Sequence, residues 1–326
     1  MPAIKLGVIG GTGRLYAGPT LVGLGRGYFA AQGLDVSITE VVGRTGIELL
    51  AKDELDVTPL GPGFYFFSLW NPDRPMMLVA DQGRQAPGRG SGAIVARPEL
   101  VERGLLKDYS DLRGKRLGIS PDRGDHDWLT FASALRRGNL TFDDVQVVIT
   151  DFGDARHKAL ANGEIDASTV GRLSSIIEGR DSGAFVVWKH EYEVQPGRQQ
   201  FAVMFGHRFW SQRPDNARRY VLAYLQGARD YYRAFEQDID REVIVDVLAA
   251  QSGYPRQAVA RDMVPTALDP NGFLSVEAIA TDLKWLEDER LLQPISLDRV
   301  IDHSYVEAAL SELGRFESAP AEEVKG

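Results

Sequence analysis

Leu50-Ala51-Lys52-Asp53-Glu54-Leu55-Asp56-Val57-Thr58 resembles Leu160-Ala161-Asn162-Gly163-Glu164-Ile165-Asp166-Ala167-Ser168, about 110 residues on. Each copy reads as a helix end, a tight acidic turn and a short strand that runs into a glycine-containing loop. Two such copies far apart in one chain predict two lobes of similar α/β build. In open α/β sheets, ligands sit beyond the carboxyl ends of the strands. Two lobes facing each other would then place their ligand loops across one cleft.

The rest of the chain alternates strand and helix, which predicts an α/β fold with mainly parallel strands. Strands are expected over residues 4–9, 34–42, 55–59, 76–81, 93–97, 116–120, 145–149, 167–170, 184–188 and 200–206. Helices are expected over 19–32, with proline in the first turn and Gly33 at the end, and over 45–52, 64–70, 128–137, 155–161 and 174–179. Residues 82–92, rich in Gly, Pro and Arg, read as an irregular connection. From residue 215 the texture changes to long amphipathic helices over 215–237, 241–251 and 276–289, with Val221, Tyr224, Leu225 and Ala228 on one stripe. The small and charged residues 318–326 read as a frayed tail.

Composition removes several classes of function. The 37 Lys and Arg against 46 Asp and Glu give a net charge of −9, unsuited to a nucleic-acid partner. The absence of cysteine excludes disulfides, thiolate metal sites and a Cys nucleophile. No apolar run approaches the ~18 residues of a membrane span. Residues 1–8 run straight into the first strand, without the succession of a secretory signal. The expectation is a soluble chain, cytoplasmic or exported with its signal removed.

No motif alone defines a reaction. Gly10-Gly11-Thr12-Gly13 after the first strand is similar to a dinucleotide fingerprint, but Tyr16 stands at the third glycine position and Pro19 delays the helix. The loop can still offer backbone N–H groups to an anion. Asp125-His126-Asp127 admits a metal reading, or an Asp N-cap on the following helix. His157, His190, His207 and His303 stand alone, Gly90-Ser91-Gly92 lacks the setting of a nucleophile elbow, and Asp143-Asp144 sits in a turn. The stronger signal is positional. The loops at predicted strand ends carry Arg14 and Tyr16, Arg44 and Thr45, Phe64 and Tyr65, Arg123 and Trp128, and Thr169 and Arg172. Guanidinium forks match carboxylate, sulfonate and phosphate geometry, and aromatic rings supply flat walls for a small ligand.

These residues, in their order, resemble a known family. The run Gly27-Tyr28-Phe29-Ala30-Ala31-Gln32-Gly33-Leu34-Asp35-Val36, residues 46–58, Ala93-Ile94-Val95-Ala96-Arg97 with Asp111-Leu112-Arg113-Gly114-Lys115, and residues 140–145 and 159–167 are similar to the solute-binding proteins of ABC importers. That family serves nitrate, taurine, aliphatic sulfonates and thiamine-pyrimidine precursors. Asp269-Pro270-Asn271-Gly272 and residues 304–310 resemble its C-terminal helical part, so the likeness spans nearly the whole chain.

The resemblance implies a two-lobed, type II periplasmic-binding-protein fold with two crossover segments. Residues 1–92 and 200–326 would form one lobe and 93–199 the other. The family's cleft loops fall on Thr12, Arg14, Tyr16, Arg44, Thr45, Gly63, Phe64, Tyr65, Gln82, Arg123, His126, Trp128, Thr169 and Arg172. The implied function is capture of a small organic anion, a sulfonate, carboxylate or aromatic acid, by clamp closure, and its delivery to an ABC permease. The implied protein is a periplasmic monomer with no cofactor, no metal and no turnover. The alternative is a cytoplasmic, cofactor-free lyase, decarboxylase or desulfination-like enzyme on the same fold. The known sulfinate desulfinase and pyrimidine synthase of this fold are expected to need cysteine, which this chain lacks.

Overall fold

The computed structural model describes residues 2–90, 92–171, 179 and 181–317, without the side chain of Thr12. The helix expected over 174–179, but for Gly179, and the tail 318–326 lie outside the described residues. Among the described residues ten strands form two five-stranded sheets, ordered β2-β1-β3-β10-β4 and β7-β6-β8-β5-β9. The first holds β1 (Ala3–Ile9), β2 (Asp35–Val41), β3 (Val57–Leu60), β4 (Met77–Arg84) and β10 (Gln199–Phe205). The second holds β5 (Ala93–Ala96), β6 (Arg116–Ile119), β7 (Gln146–Ile149), β8 (Ala167–Val170) and β9 (Val186–His190).

In each sheet four strands run in one direction, as expected, and one runs against them. β1 pairs parallel with β2 and β3, and β6 with β7 and β8, but β10 lies antiparallel between β3 and β4, and β5 antiparallel between β8 and β9. β5 and β10 each enter their sheet from the other half of the molecule, which reverses their direction. The helix expected over 19–32 is corrected. Gly11–Ala17 is a 3-10 helix, Gly18–Gly25 an α-helix, and Tyr28–Ala31 a separate turn. Gly27 sits at φ 77°, a left-handed conformation that breaks the helix there.

The repeated segment builds the centre of both sheets. Asp56 Oδ2 accepts the Lys5 N–H at 2.9 Å, and Asp166 Oδ2 accepts the Arg116 N–H at 2.9 Å. Thr58 donates its hydroxyl to the Gly7 carbonyl at 2.8 Å, and Ser168 to the Gly118 carbonyl at 2.7 Å. A Cβ on Gly7 would collide with Leu55, and one on Gly118 with Ile165. Each half therefore bolts its central strand to its neighbour with the same aspartate, hydroxyl and glycine.

Both sheets bury both faces, as helices on either side require. Helix Pro214–Glu236 lays Ala217, Tyr220, Val221, Tyr224, Leu225, Ala228 and Tyr231 against Ile4, Leu6, Val8, Val203 and Phe205 of the first sheet. Full burial of each large side chain of that set stabilises by about 1.5–3 kcal/mol. Phe66, Phe67, Leu78, Met204 and Leu283 fill the opposite face. Leu117, Ile119, Phe131 and Leu135 cover one face of the second sheet, and Val95, Leu160, Ile165 and Phe185 the other. Helices Arg256–Asp262 and Ser304–Leu313 complete the C-terminal part. Among the described residues no helix is long and apolar enough to cross a membrane.

Candidate functional site

The loops at the carboxyl ends of β1, β2 and β3 meet those of β6 and β8 across one cleft. Tyr65, in the helix Phe64–Leu69 after β3, donates its hydroxyl to Asp122 Oδ2 at 2.6 Å in the loop after β6. Burial and that carboxylate both push the Tyr65 phenol up, so it remains a donor. Arg44 Nη1 lies 3.7 Å from the same carboxylate, and its guanidinium carbon 5.7 Å from the centre of the Tyr65 ring. Beside them Phe64 packs on the bare Cα of Gly124, where any Cβ would strike the Phe64 ring. Tyr16 donates to the Gly171 carbonyl after β8 and stacks on Phe201, with ring centres 4.9 Å apart at 23°.

The two connections between the sheets meet at the first turn of helix His126–Arg137. Glu191 follows β9, is 1% exposed, and accepts from Gln85 Nε2 at 2.7 Å. Its carboxylate packs on the bare Cα of Gly92 and lies 3.0 Å from His126 Nε2. Burial pulls the His126 imidazole down, but the charge and hydrogen bond of Glu191 outweigh it and the net displacement is upward. Burial raises Glu191, and His126 and Arg198 outweigh that in turn, leaving it below its ordinary value. Arg198 Nε donates to Asp282 at 2.8 Å and its Nη1 to Gln195 Oε1 at 3.0 Å, which ties the returning connection to the C-terminal helices.

Behind the cleft loops of the second sheet lies a fully buried ion pair. Arg156 Nη2 is 2.5 Å from Asp127 Oδ2, and Arg156 Nη1 donates to Thr169 Oγ1 at 3.1 Å. Asp127 also accepts the Ser120 N–H at 2.8 Å, the Ser120 hydroxyl at 2.9 Å and the Trp128 N–H at 2.9 Å. This knot fixes the loop that carries Asp122 and Gly124.

The sequence-derived residues therefore divide. Arg44, Phe64 and Tyr65 come together against the loop after β6, Tyr16 meets the loop after β8, and His126 lies against Glu191. Arg14 turns to Glu40 at 3.3 Å and the Gln251 carbonyl at 3.2 Å, and Arg123 to Glu289 at 2.5 Å. Gln82 is fully buried, with its amide spent on Thr20 and the Tyr16 carbonyl. Trp128 is a core residue whose indole donates to the Ser120 carbonyl at 3.0 Å, and Thr169 is buried on Arg156. Thr45 is exposed, Gly63 precedes the Phe64 helix, and Arg172 and the Thr12 side chain lie outside the described residues. Asp125 is the N-cap of its helix, accepting the His126 N–H at 2.7 Å. The glycines after β1 open a 3-10 helix, with the α-helix starting only at Gly18. Among the described residues no group of three His, Asp or Glu side chains is placed to hold a metal ion. Gln85, Asp122, Phe201, Glu191 and the Asp127–Arg156 pair escape the sequence reading. Arg156 follows the carboxyl end of β7, where the strand-end rule applied to the other loops would have found it.

The fold is that of the type II periplasmic-binding-protein class, two α/β halves joined by two connections. Residues 93–234, from β5 into the long helix after β10, match the family model described as NMT1/THI5 like. The structure is similar to the periplasmic aliphatic sulphonate binding protein SsuA from Escherichia coli, with TM-score 0.69, 18% identity, and 93% of each chain covered. It is similar to the periplasmic nitrate-binding protein NrtA from Synechocystis PCC 6803, with TM-score 0.68, 14% identity, and 96% of this chain and 89% of that one covered. It is also similar to the desulfurization enzyme DSZB, with TM-score 0.65, 16% identity, and 96% and 100% covered. No curated protein sequence matches the chain.

Proposed function

We propose that this protein is a solute-binding protein that captures a small organic anion between two lobes, residues 1–92 with 200–326 and residues 93–199, and delivers it to an ABC importer. The observation that carries this reading is the closure of one cleft by side chains from both sheets, Tyr16 onto Gly171 and Tyr65 onto Asp122. Hinged lobes that close on a ligand are the working principle of such proteins. Tyr16, Phe201 and Phe64 offer flat apolar walls for the ligand's body, as small-molecule sites use them. The periplasmic sulphonate-binding and nitrate-binding neighbours support a small anion in the periplasm, and we take the ligand to be a sulfonate, carboxylate or aromatic acid and the protein to act as a monomer.

A thermal-shift and calorimetric screen of alkanesulfonates, benzenesulfonate, aromatic carboxylates, nitrate and pyrimidines tests it. A true ligand at a hundred times its Kd stabilises the native state by about 2.7 kcal/mol. Chromatography of the recovered ligand should return it unchanged. Chemical conversion would transfer the protein to the enzyme reading, and silence across the panel would reject the anion class.

A further inference from the structure

The described arginines around the cleft are already matched to protein carboxylates. Arg14 faces Glu40, Arg44 faces Glu48 and Asp122, Arg123 faces Glu289, Arg156 faces Asp127 and Arg198 faces Asp282. His126 is placed differently. Its neighbours Gln85, Gly92, Asp127, Thr130 and Glu191 are buried, yet 37% of its own side chain meets solvent. Its Nε2 is committed to Glu191 at 3.0 Å, which leaves Nδ1 as the ring nitrogen that Glu191 does not hold.

A ring whose Nε2–H is held by a carboxylate has two states at Nδ1. Neutral, it shows an anion a lone pair. Protonated, it shows an N–H and a positive charge. We propose that anion capture in this cleft is coupled to uptake of one proton at His126, whose Nδ1–H becomes the donor to the anion. The inference rests on the capture reading above and adds its regulation. The charged groups facing the ring are Glu191 and Arg198 from the returning connection and Asp125 from its own turn. The carboxylates favour the protonated ring and Arg198 opposes it, with Glu191 the nearest and strongest influence. By linkage, the anion raises the affinity for the proton as much as the proton raises the affinity for the anion.

Ethanesulfonate, benzenesulfonate and nitrate keep their charge from pH 5.5 to 8.5, so any pH dependence belongs to the protein. Calorimetry of each across that range, in buffers of different ionisation enthalpy, counts protons taken up. The expected result is affinity falling about tenfold per pH unit above the pKa of His126 in the free protein, with one proton taken up per anion there. His126→Gln should give a flat profile at the weak limit. Glu191→Gln should move the profile to lower pH while keeping its acid plateau, a displacement that a purely structural role would not produce. A flat wild-type profile with no proton uptake overturns this inference and leaves the capture reading standing. If all three probes fail to bind at pH 5.5 and at pH 8.5 alike, while another anion of the panel binds without proton uptake, this inference is also overturned. Silence of the whole panel at pH 5.5 overturns both. If either variant fails to fold, as judged by circular dichroism, the wild-type proton count decides alone.

Discussion

Tyr65 donates a 2.6 Å hydrogen bond to Asp122 Oδ2, joining the loop after β3 to the loop after β6. If the two halves open and close as proposed, the bond exists only in the closed state, and it then bears on how long a captured ligand is held. A hydrogen bond to a charged group contributes about 1.5–3 kcal/mol. Tyr65→Phe keeps the ring and removes the bond. Ligand dissociation should accelerate about tenfold or more, with the association rate little changed. Stopped-flow release of the ligand found in the screen measures this, and an unaltered release rate would remove the latch from the mechanism.

The Asp127–Arg156 pair makes an unusual double-mutant prediction. Arg156→Leu leaves a buried carboxylate unpaired and should cost about 3–5 kcal/mol, read by urea unfolding. Buried ion pairs can often be replaced by apolar residues at no loss. Here Asp127 also holds the Ser120 N–H, the Ser120 hydroxyl and the Trp128 N–H, which an apolar residue would orphan. Asp127→Leu combined with Arg156→Leu should therefore stay destabilised. Full recovery in the double variant would show that the loop does not depend on the pair.

Two histidines should tilt stability in opposite directions with pH. His303 Nε2 accepts the Leu274 N–H at 3.1 Å, and burial holds its pKa below the ordinary histidine value. Its contribution is present above the unfolded pKa of about 6.5 and is lost as pH falls through the lowered folded value. His126 has a raised folded pKa, so its contribution is complete below about 6.5 and is lost as pH rises through that raised value. Denaturant unfolding from pH 5 to 9 should lose its acid-side slope in His303→Gln and its alkaline-side slope in His126→Gln. The reverse assignment of slopes would contradict both contacts.

Helix Gly18–Gly25 crosses helix Pro214–Glu236 at a glycine pair. A Cβ on Gly227 would lie 2.5 Å from the Gly23 nitrogen and 2.7 Å from the Pro19 carbonyl oxygen. Both obstacles are backbone, so the helices would have to part. Gly227→Ala should cost about 1–3 kcal/mol or more, against the gain an alanine normally brings inside a helix. A thermal midpoint at or above the parent's would refute the close crossing.

Much of the architecture was legible because its signals are local. The two copies around Asp56 and Asp166 carry their own partners: the aspartate that caps the neighbouring strand and the hydroxyl two residues on. Asp125 announced its N-cap in the same way. The reversed direction of β5 and β10 was not legible, since their apolar runs read alike in either orientation. The cleft was half legible. Aromatic residues at strand ends, Tyr16, Phe64 and Tyr65, do face across it. The long side chains of Arg14 and Arg123 chose carboxylates on remote elements, Glu40 and Glu289, and no local pattern encodes that choice. Glu191 and Gln85 became neighbours only because two crossings of the chain pass side by side.

The strand order β2-β1-β3-β10-β4 has a consequence for synthesis. β4 has one sheet neighbour, β10, and the chain must add all of β5 to β9 before β10 exists. At the ordinary pace of translation that interval is on the order of ten seconds. The second sheet is contiguous in sequence and can assemble as soon as it leaves the ribosome. β1, β2 and β3 can meanwhile pair among themselves, but the buried apolar residues Leu78, Val79 and Ala80 of β4 wait without a ladder partner. The half of the molecule whose synthesis begins first is thus the last to close its sheet.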